Sequence, residues 1–267
     1  MKNTIVSAKW VSEHIEDDNL IILEARLDQN QTKDTQIPGA RLFDIKNTFS
    51  DTKNPLPNTF PSEEQFTTEC QKLGVNNDSF IVVYDTTGIY SSPRVWFMFN
   101  AMGHTNIAVL DGGLPEWIKQ GYPTEKPKET TYAIGDFQGH LNTDTVKNKE
   151  QILENIDSKK ANLIDARSSD RFHATIEETR VGIRNGHIPG SVNVPFETLF
   201  KDGKYKSAAD LTEIFDLNDK PLYFTCGSGI TACILLLATE LIGDNPKAVY
   251  DGSWTEWGQA TDLPIEK

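Results

Sequence analysis

Short apolar runs alternate with amphipathic stretches along the first half of the chain. Three of these runs are rich in β-branched and aromatic residues and have the length of buried strands: Leu20–Glu24, Phe80–Tyr84 and Ile107–Leu110. Between them, Ser62 precedes a stretch with acidic residues in its first turn, and Ser92 precedes a proline at the first helical position. These signals predict strands and helices that alternate along the chain.

The second half shows the same alternation. The predicted strands are Leu163–Asp165, Val192–Val194, Leu222–Thr225 and Ala248–Tyr250. The predicted helices are Asp144–Asp157, Ala209–Phe215 and Thr231–Ile242. Short strands that alternate with helices predict an α/β fold in which a parallel sheet carries helices on both faces. In such sheets, ligands bind at the carboxyl ends of the strands.

The two halves also repeat each other at an offset of roughly 140 residues. The matching segments occur in the same order: Ile22–Arg26 with Leu163–Arg167, Ile37–Ala40 with Ile188–Ser191, Val82–Asp85 with Tyr223–Cys226, and Asp111–Gly113 with Asp251–Ser253. A repeat of this length predicts a tandem duplication of a whole domain.

The repeat and the composition together predict the domain boundaries. Residues 122–142 are rich in Pro, Lys, Glu, Thr and Gly and lack a long apolar period, so we expect a first domain at 1–125, a linker at 126–142 and a second domain at 143–267. The first copy has about ten extra residues around Phe49–Thr59, which predict a surface excursion. The second copy has about ten extra residues before its Ile188-Pro189-Gly190 segment.

Net charge and apolar run length exclude two classes of partner. The chain carries −13, with 10 basic and 17 acidic residues in 1–125 and 16 and 22 in 126–267, so the halves carry −7 and −6. Neither half has the positive field typical of nucleic-acid binding. No apolar run approaches ~18 residues, and no apolar leader follows the first residues, so we expect no membrane association.

The three cysteines, Cys70, Cys226 and Cys233, are too few for a disulfide scaffold and lack zinc-like spacing. A reducing compartment therefore fits best, and we expect a cytoplasmic protein. The sequence contains no signal for a metal or an organic cofactor.

One junction in the second half points to chemistry. Cys226, with Gly227 and Gly229 beside it, lies where a buried strand gives way to a buried helix. Such a junction offers free backbone N–H groups and the positive end of a helix dipole, so we expect the thiol to ionise easily. Ser228 and Thr231 can add hydroxyl donors.

Three interpretations of Cys226 compete. A structural core cysteine would not need the adjacent glycines, and a cysteine phosphatase would need an arginine six residues later, where this chain has Ala232. Sulfur transfer through a persulfide fits best, because glycines let the backbone N–H groups approach an anionic sulfur.

Three segments resemble signatures of a known family: Cys226–Ala232, Gly186–Gly190 and Tyr250–Trp257. Over nearly its whole length the chain resembles the two-domain rhodanese-type sulfurtransferases, and its loop is similar to that of the 3-mercaptopyruvate sulfurtransferase branch. The resemblance implies tandem rhodanese-like domains of which only the second is catalytic. Asp85 stands at the place of Cys226 in the first copy and cannot carry sulfur, which agrees with that implication.

The resemblance also implies the substrate contacts. Thiosulfate-specific members carry basic residues just after the cysteine, whereas this loop is neutral, with Gly227, Ser228, Gly229 and Ile230 around the substrate. Arg171 and Arg180 fall on family positions that grip the carboxylate of 3-mercaptopyruvate, a role that suits the guanidinium fork. A solvated surface charge is the alternative for either arginine.

The expected activity takes sulfur from a small-molecule donor to a thiol acceptor, such as thioredoxin or a small thiol, or to cyanide. Thiosulfate:cyanide sulfur transfer and a persulfide carrier that serves a protein partner stay open. Some family members have an Asp and a His proposed to act with the loop serine; the nearest positions here are Lys46 and Asn54, so no such relay is expected and the proton donor to the pyruvate enolate is left open.

Other conspicuous residues have structural interpretations. Cys233 is expected in the core, with a redox role as the alternative, and Cys70 is expected to be a helix residue without a role. His187 is expected to order the turn that follows it. Both copies have a carboxylate and an arginine two residues apart at a strand end, Asp165 with Arg167 in the second copy, and this predicts a structural ion pair.

Overall fold

The computed structural model describes residues 4–27, 34–215 and 217–267. Within these residues the chain divides into two compact units. The first unit comprises Met1–Lys53, Phe60–Asn142 and Asp202–Lys204, and the second comprises Asn54–Thr59, Thr143–Lys201 and Tyr205–Lys267. None of the helices in the described part of the chain has the length and apolarity needed to cross a membrane.

The first unit is built on a five-stranded parallel sheet with the order β1-β5-β4-β2-β3. Its strands are β1 (Ile5–Val6), β2 (Leu20–Arg26), β3 (Arg41–Asp44), β4 (Phe80–Tyr84) and β5 (Ile107–Leu110). Its helices are α1 (Ala8–His14), α2 (Glu63–Lys72), α3 (Ser92–Ala101) and α4 (Gly113–Lys119). The predicted strands of the first copy are present, and the two short strands β1 and β3 extend the sheet at its edges.

Helices cover both faces of this sheet, as predicted. Val82 and Tyr84 of β4 pack in one cluster with Val11 of α1 and Trp117 of α4. The opposite face is covered by α2 and α3, whose phenylalanines form an edge-to-face aromatic cluster. Because side chains alternate along a strand, a fully buried run such as β4 serves both faces.

The segment expected to be a surface excursion begins in this core. Phe49 is 1% exposed, and its ring stacks on Phe43 with the ring centres 3.6 Å apart. Burial of a phenylalanine removes a large apolar area from water, and this outweighs the polar composition of the residues that follow. Only the later part, Asn54–Thr59, belongs to the second unit.

Residues 126–142 belong to the first unit. Phe137 is buried there, and the Gln71 side chain donates a hydrogen bond to its carbonyl oxygen. The boundaries of the predicted domains and linker, 1–125, 126–142 and 143–267, stay a prediction.

The second unit repeats the same sheet, with the order β6-β12-β11-β7-β8 and parallel pairing throughout. Its strands are β6 (Val146–Lys147), β7 (Asn162–Asp165), β8 (Val192–Asn193), β11 (Leu222–Thr225) and β12 (Lys247–Tyr250), and a separate two-stranded ribbon consists of β9 (Phe200–Lys201) and β10 (Lys204–Tyr205). The helices are α5 (Lys149–Ser158), α6 (Ser169–Phe172), α7 (Ala208–Ile214), α8 (Ala232–Glu240) and α9 (Ser253–Gln259), and short 3₁₀ turns occur at Thr143–Thr145 and Phe196–Leu199.

One predicted helix begins later than expected. The prediction placed it at Asp144–Asp157, but α5 begins at Lys149 after a capping box between Asn148 and Gln151. Val146 and Lys147 pair instead with β12 as a short strand. The hydrogen bonds of the sheet edge and the strong N-cap together fix the start of the helix.

Candidate active site

The Cys226 thiol lies at the carboxyl end of the central strand β11. The strand ends at Thr225, and helix α8 begins at Ala232, so the intervening loop faces the edge where ligands bind in parallel sheets. Cys226 is 1% exposed, and α8 behind it is apolar on all sides because it is buried. The structure thus confirms the predicted junction of strand, loop and buried helix.

A serine from the next turn holds this loop in shape. The Ser253 hydroxyl oxygen accepts hydrogen bonds from the N–H groups of Cys226 (3.2 Å) and Gly229 (3.1 Å), and its hydrogen is donated to the Tyr250 carbonyl (2.8 Å). Gly229 has a φ of 78°, a left-handed conformation that favours glycine. The backbone N–H of Trp254 donates to the Cys226 carbonyl at 2.9 Å.

Other N–H groups of the loop have no partner within the described residues. No group there accepts a hydrogen bond from the N–H of Gly227, Ser228 or Ile230. The Thr231 side chain stands at the N-cap position of α8 and makes no capping hydrogen bond, and its residue is 9% exposed. The loop therefore has the donor groups expected of an anion cradle.

Both sequence-predicted arginines lie over this loop. A Cβ placed on Gly227 would lie 3.8 Å from two guanidinium nitrogens of Arg171 and 3.9 Å from one of Arg180. Arg180 also donates to the Thr255 hydroxyl at 2.6 Å, and that hydroxyl donates to the Gly227 carbonyl at 2.6 Å. The side chains are 32% and 35% exposed, so both cations can reach a ligand as well as the loop.

A carboxylate to which the sequence assigned no role of its own, noted only as a neighbour of Arg180, joins the two arginines. Glu178 Oε2 accepts a hydrogen bond of 2.8 Å from each guanidinium, and Oε1 accepts a further bond of 2.9 Å from Arg180 Nε. The Glu178 side chain is 6% exposed. These charge-assisted hydrogen bonds, first those from Arg180, lower the pKa of Glu178 to about 2. Its proximity to Arg180 in sequence was the available signal.

A second carboxylate–guanidinium pair confirms the expected structural interpretation. Arg167 binds Asp165 with an Nη2–Oδ2 distance of 2.7 Å, and both side chains are almost fully buried. The guanidinium carbon of Arg167 lies 4.4 Å from the centre of the Trp254 ring, and Nη2 also donates to the Gly186 carbonyl. Arg167 and Trp254 form one wall of a small cavity next to Arg171 and Glu178.

The other two cysteines follow their structural interpretations, whereas the His187 side chain contacts Phe172 and not the turn that follows it. One ring nitrogen of His187 lies 3.0 Å from the Phe172 carbonyl oxygen, and the ring stacks on Phe172. Cys233 is buried in α8 and donates its thiol hydrogen to the Gly229 carbonyl at 3.3 Å. Burial raises the pKa of the Cys70 thiol.

Across the described residues there is no group of three or more His, Cys, Asp or Glu side chains arranged to hold a metal ion.

Asn58 makes a further contact with the loop that the sequence did not predict. Its side-chain amide donates to the Ser228 hydroxyl oxygen at 3.0 Å.

Comparison with known proteins adds a family to this geometry. The profile of the rhodanese-like domain matches residues 7–120 and 148–260. The chain is 37% identical to the 3-mercaptopyruvate sulfurtransferase of Escherichia coli K12 over 98% of this chain and 97% of that protein. It is 40% identical to a thiosulfate sulfurtransferase of Gallus gallus over 95% and 92%. The crystal structure of SseA from Escherichia coli matches with a TM-score of 0.84 at 35% identity, over 94% of this chain and 99% of that one.

Proposed function

We propose, from the premise that the chain belongs to the rhodanese family and is a sulfurtransferase, that it takes sulfur from 3-mercaptopyruvate and releases pyruvate. The sulfur passes through a persulfide on Cys226 to a thiol acceptor or to cyanide. The observation that carries the choice of donor is the position of two guanidinium groups over a neutral loop.

The reaction begins when the Cys226 thiolate attacks the sulfur atom of the donor. An S–S bond forms while the C–S bond breaks, and the electron pair of that bond passes to the carbon, which gives the enolate of pyruvate. The proton of the donor thiol balances the step, because the persulfide becomes an anion as the enolate becomes pyruvate. In this proposal the N–H groups of Gly227, Ser228 and Ile230 donate to the anionic sulfur, and Gly229, with its left-handed backbone, gives the loop its curvature.

The carboxylate of the donor binds Arg171 and Arg180 in this proposal. Both guanidinium groups keep N–H donors beyond those used by Glu178, and both lie within reach of Gly227. We place the keto group of the bound donor next to the Ser228 and Thr231 hydroxyls, which can donate hydrogen bonds to it. A planar fork can hold a carboxylate through two hydrogen bonds and so fix the orientation of the donor.

Thiosulfate is the second candidate donor, since relatives of similar identity carry the name thiosulfate sulfurtransferase. Steady-state rates with the two donors at one cyanide concentration distinguish the candidates. We expect kcat/KM to be at least ~10-fold higher with 3-mercaptopyruvate. A higher value with thiosulfate would reverse the assignment, and negligible turnover with both would favour a persulfide carrier.

The arginines give a second, internal test. Replacing Arg171 or Arg180 with Lys should weaken 3-mercaptopyruvate more than thiosulfate, because Lys cannot bind the carboxylate through a planar fork. Equal losses on both donors would count against the carboxylate role.

Thioredoxin or a small thiol is the proposed acceptor, and a reducing, cytoplasmic location is proposed with it. Replacing cyanide with reduced thioredoxin in the assay, and fractionating cells that produce the protein, test these two points directly.

A further inference from the structure

We propose that Asn58 is a positioning residue whose side-chain amide directs the hydroxyl hydrogen of Ser228 toward the sulfur donor. The inference rests on the proposed function, since it assigns Ser228 a part in the release of pyruvate. Asn58 Nδ2 lies 3.0 Å from Ser228 Oγ, and both residues are half-buried and belong to the same compact unit. No local sequence pattern connects them, because 170 positions separate the two.

The turn that carries Asn58 is held by its own hydrogen bonds. The Asn54 side chain accepts from the Leu56 N–H at 3.0 Å, and the Thr59 hydroxyl donates to the Leu56 carbonyl at 3.0 Å. Asn58 itself has a φ of 60°, a left-handed conformation that asparagine tolerates better than most residues. The amide is therefore presented to Ser228 by an ordered segment.

The chemistry of the two groups fixes the direction of the hydrogen bond. The nitrogen of an asparagine amide is a donor only, whereas a serine hydroxyl both accepts and donates. When Ser228 Oγ accepts from Asn58, its own hydrogen points elsewhere. Ser228 lies two residues after Cys226, so that hydrogen is available to a donor molecule bound at the thiol.

A directed hydroxyl matters where charge develops during the reaction. Cleavage of the C–S bond of 3-mercaptopyruvate places the electron pair on the carbon next to the keto group, and the negative charge moves to the keto oxygen. A hydrogen bond from Ser228 to this oxygen stabilises the transition state more than the ground state. Thiosulfate releases sulfite through S–S cleavage and forms no enolate, so it gains much less from this hydrogen bond.

Four variants measured with both donors test the proposal: Asn58→Gly, Asn58→Asp, Ser228→Ala and the double variant Asn58→Gly/Ser228→Ala. Glycine keeps the left-handed backbone and removes the amide, and we expect kcat with 3-mercaptopyruvate to fall about tenfold while kcat with thiosulfate stays within about twofold. Aspartate accepts the Ser228 hydrogen and turns it away from the substrate, so at neutral pH its loss should equal or exceed that of glycine. The double variant should be no slower than Ser228→Ala alone.

The control is Asn54→Asp. It adds the same charge to the same turn and keeps the oxygen that accepts from Leu56, so both donors should react within about twofold of wild type. Thermal unfolding of each variant checks that the turn and the unit stay folded.

Three results would overturn the role of Asn58 while the proposed function stands: a wild-type rate in Asn58→Gly with 3-mercaptopyruvate, equal losses with both donors, or additive losses in the double variant. A wild-type protein that does not use 3-mercaptopyruvate would instead refute the proposed function, and the role of Asn58 with it.

Discussion

The strand-to-helix loops of the two units are built alike and hold different groups. In the first unit the loop after β4 begins at Asp85, and Leu114 donates its N–H to the Asp85 carbonyl at 2.9 Å. In the second unit the loop after β11 begins at Cys226, and Trp254 donates to its carbonyl at the same distance. The repeat therefore preserves the way in which the next helix holds the loop.

The difference lies in what the loop N–H groups bind. The Asp85 carboxylate is fully buried and accepts from the N–H groups of Tyr90 (2.9 Å), Ser91 (2.8 Å) and Ser92 (2.8 Å), and also from both serine hydroxyls. The first loop is thus an anion cradle filled by the chain itself. The loop of Cys226 has N–H groups left over, and an anionic persulfide can use them. The same architecture holds a buried carboxylate in one unit and, in the function we propose, a reactive thiol in the other.

The turn after the neighbouring strand, β5 in the first unit and β12 in the second, also differs between the two units. Gly113 has a φ of 59°, and a Cβ there would lie 2.3 Å from the Gly88 carbonyl oxygen. Its counterpart Ser253 has a φ of 49°, which is uncommon for a residue with a side chain. The loop that begins at Cys226 leaves space for the Ser253 side chain, and two N–H groups of the loop donate to its hydroxyl oxygen.

The largest loss of turnover is expected when the carboxylate that begins the first loop replaces the thiol that begins the second. In Cys226→Asp the carboxylate can accept from the loop N–H groups, but it cannot form a persulfide. We expect turnover with 3-mercaptopyruvate and cyanide to fall by more than ~1000-fold, the loss typical of a missing nucleophile. Unfolding in urea should show that the variant stays folded.

Cys233→Ala is the matched control for that experiment. Its thiol is buried in α8 and donates to the Gly229 carbonyl, which lies away from the thiol of Cys226 in the sequence, so turnover per folded molecule should stay within a few-fold of wild type. Measurable sulfur transfer by Cys226→Asp would mean that the two loops do not differ in the way proposed.

The next largest effect, a loss of stability, is expected when the Asp85 carboxylate is removed from the first loop. Asp85→Ala removes the acceptor of the Tyr90 N–H, of the two buried N–H groups of Ser91 and Ser92 and of both serine hydroxyls, and we expect a loss of about 3 kcal/mol or more in the free energy of unfolding. Asp78→Ala, at an exposed position in the same unit, is the control. Equal urea midpoints for the two variants would show that the Asp85 carboxylate has no structural role.

Much of the fold followed from local sequence patterns. Runs such as Phe80–Tyr84 and Leu222–Thr225 are apolar because both faces of their sheets are covered, and the repeat then related one loop to the other. The two-residue strand Val146–Lys147 was missed, since only its pairing with β12 distinguishes it from a helix start. Phe49 was assigned to the surface because its neighbours are polar.

The site was predictable in part, and the limit is again physical. Cys226 stood out through its glycines and its place between strand and helix, whereas Arg171 and Arg180 came from the family resemblance. Ser253 and Asn58 act through contacts between distant parts of the chain and through left-handed backbone conformations. No local periodicity reports either property.

A smaller loss of activity is expected when the Ser253 hydroxyl is removed. Ser253→Gly gives the second unit the residue of the first, relieves the left-handed strain and removes both hydrogen bonds to the loop. We expect kcat to fall about tenfold with both donors, because the thiol itself loses its fixed position. Urea unfolding should change little, since relief of strain offsets the lost bonds.

Ser253→Ala separates the two contributions. It loses the same hydrogen bonds but keeps the strained backbone, so its kcat should match that of the glycine variant while its stability is lower by ~1 kcal/mol. A wild-type kcat in both variants would show that the loop keeps its shape without the hydroxyl.

The smallest effect on stability is expected at Glu178. Its carboxylate accepts hydrogen bonds from two guanidinium groups, as the Asp85 carboxylate accepts them from the loop N–H groups. Arg180 and then Arg171 hold its pKa at about 2, below the ordinary value of 4.5. A lowered pKa in the folded state gives stability that is complete above about pH 4.5 and is lost as pH falls toward 2. Glu178→Gln cannot lose this contribution, so its stability should be lower at pH 7 and should fall less steeply between pH 4.5 and 2.

Urea unfolding at several pH values measures that slope, with Glu177→Gln as the control, since the Glu177 side chain is exposed and adjacent. The control should follow the wild-type curve throughout. Equal slopes for wild type and Glu178→Gln would mean that the ion pairs of Glu178 add no stability and that Arg180 is held by Thr255 and Gly227. In that case the second unit would have no internal carboxylate comparable to Asp85, and the comparison between the units would be restricted to the loops.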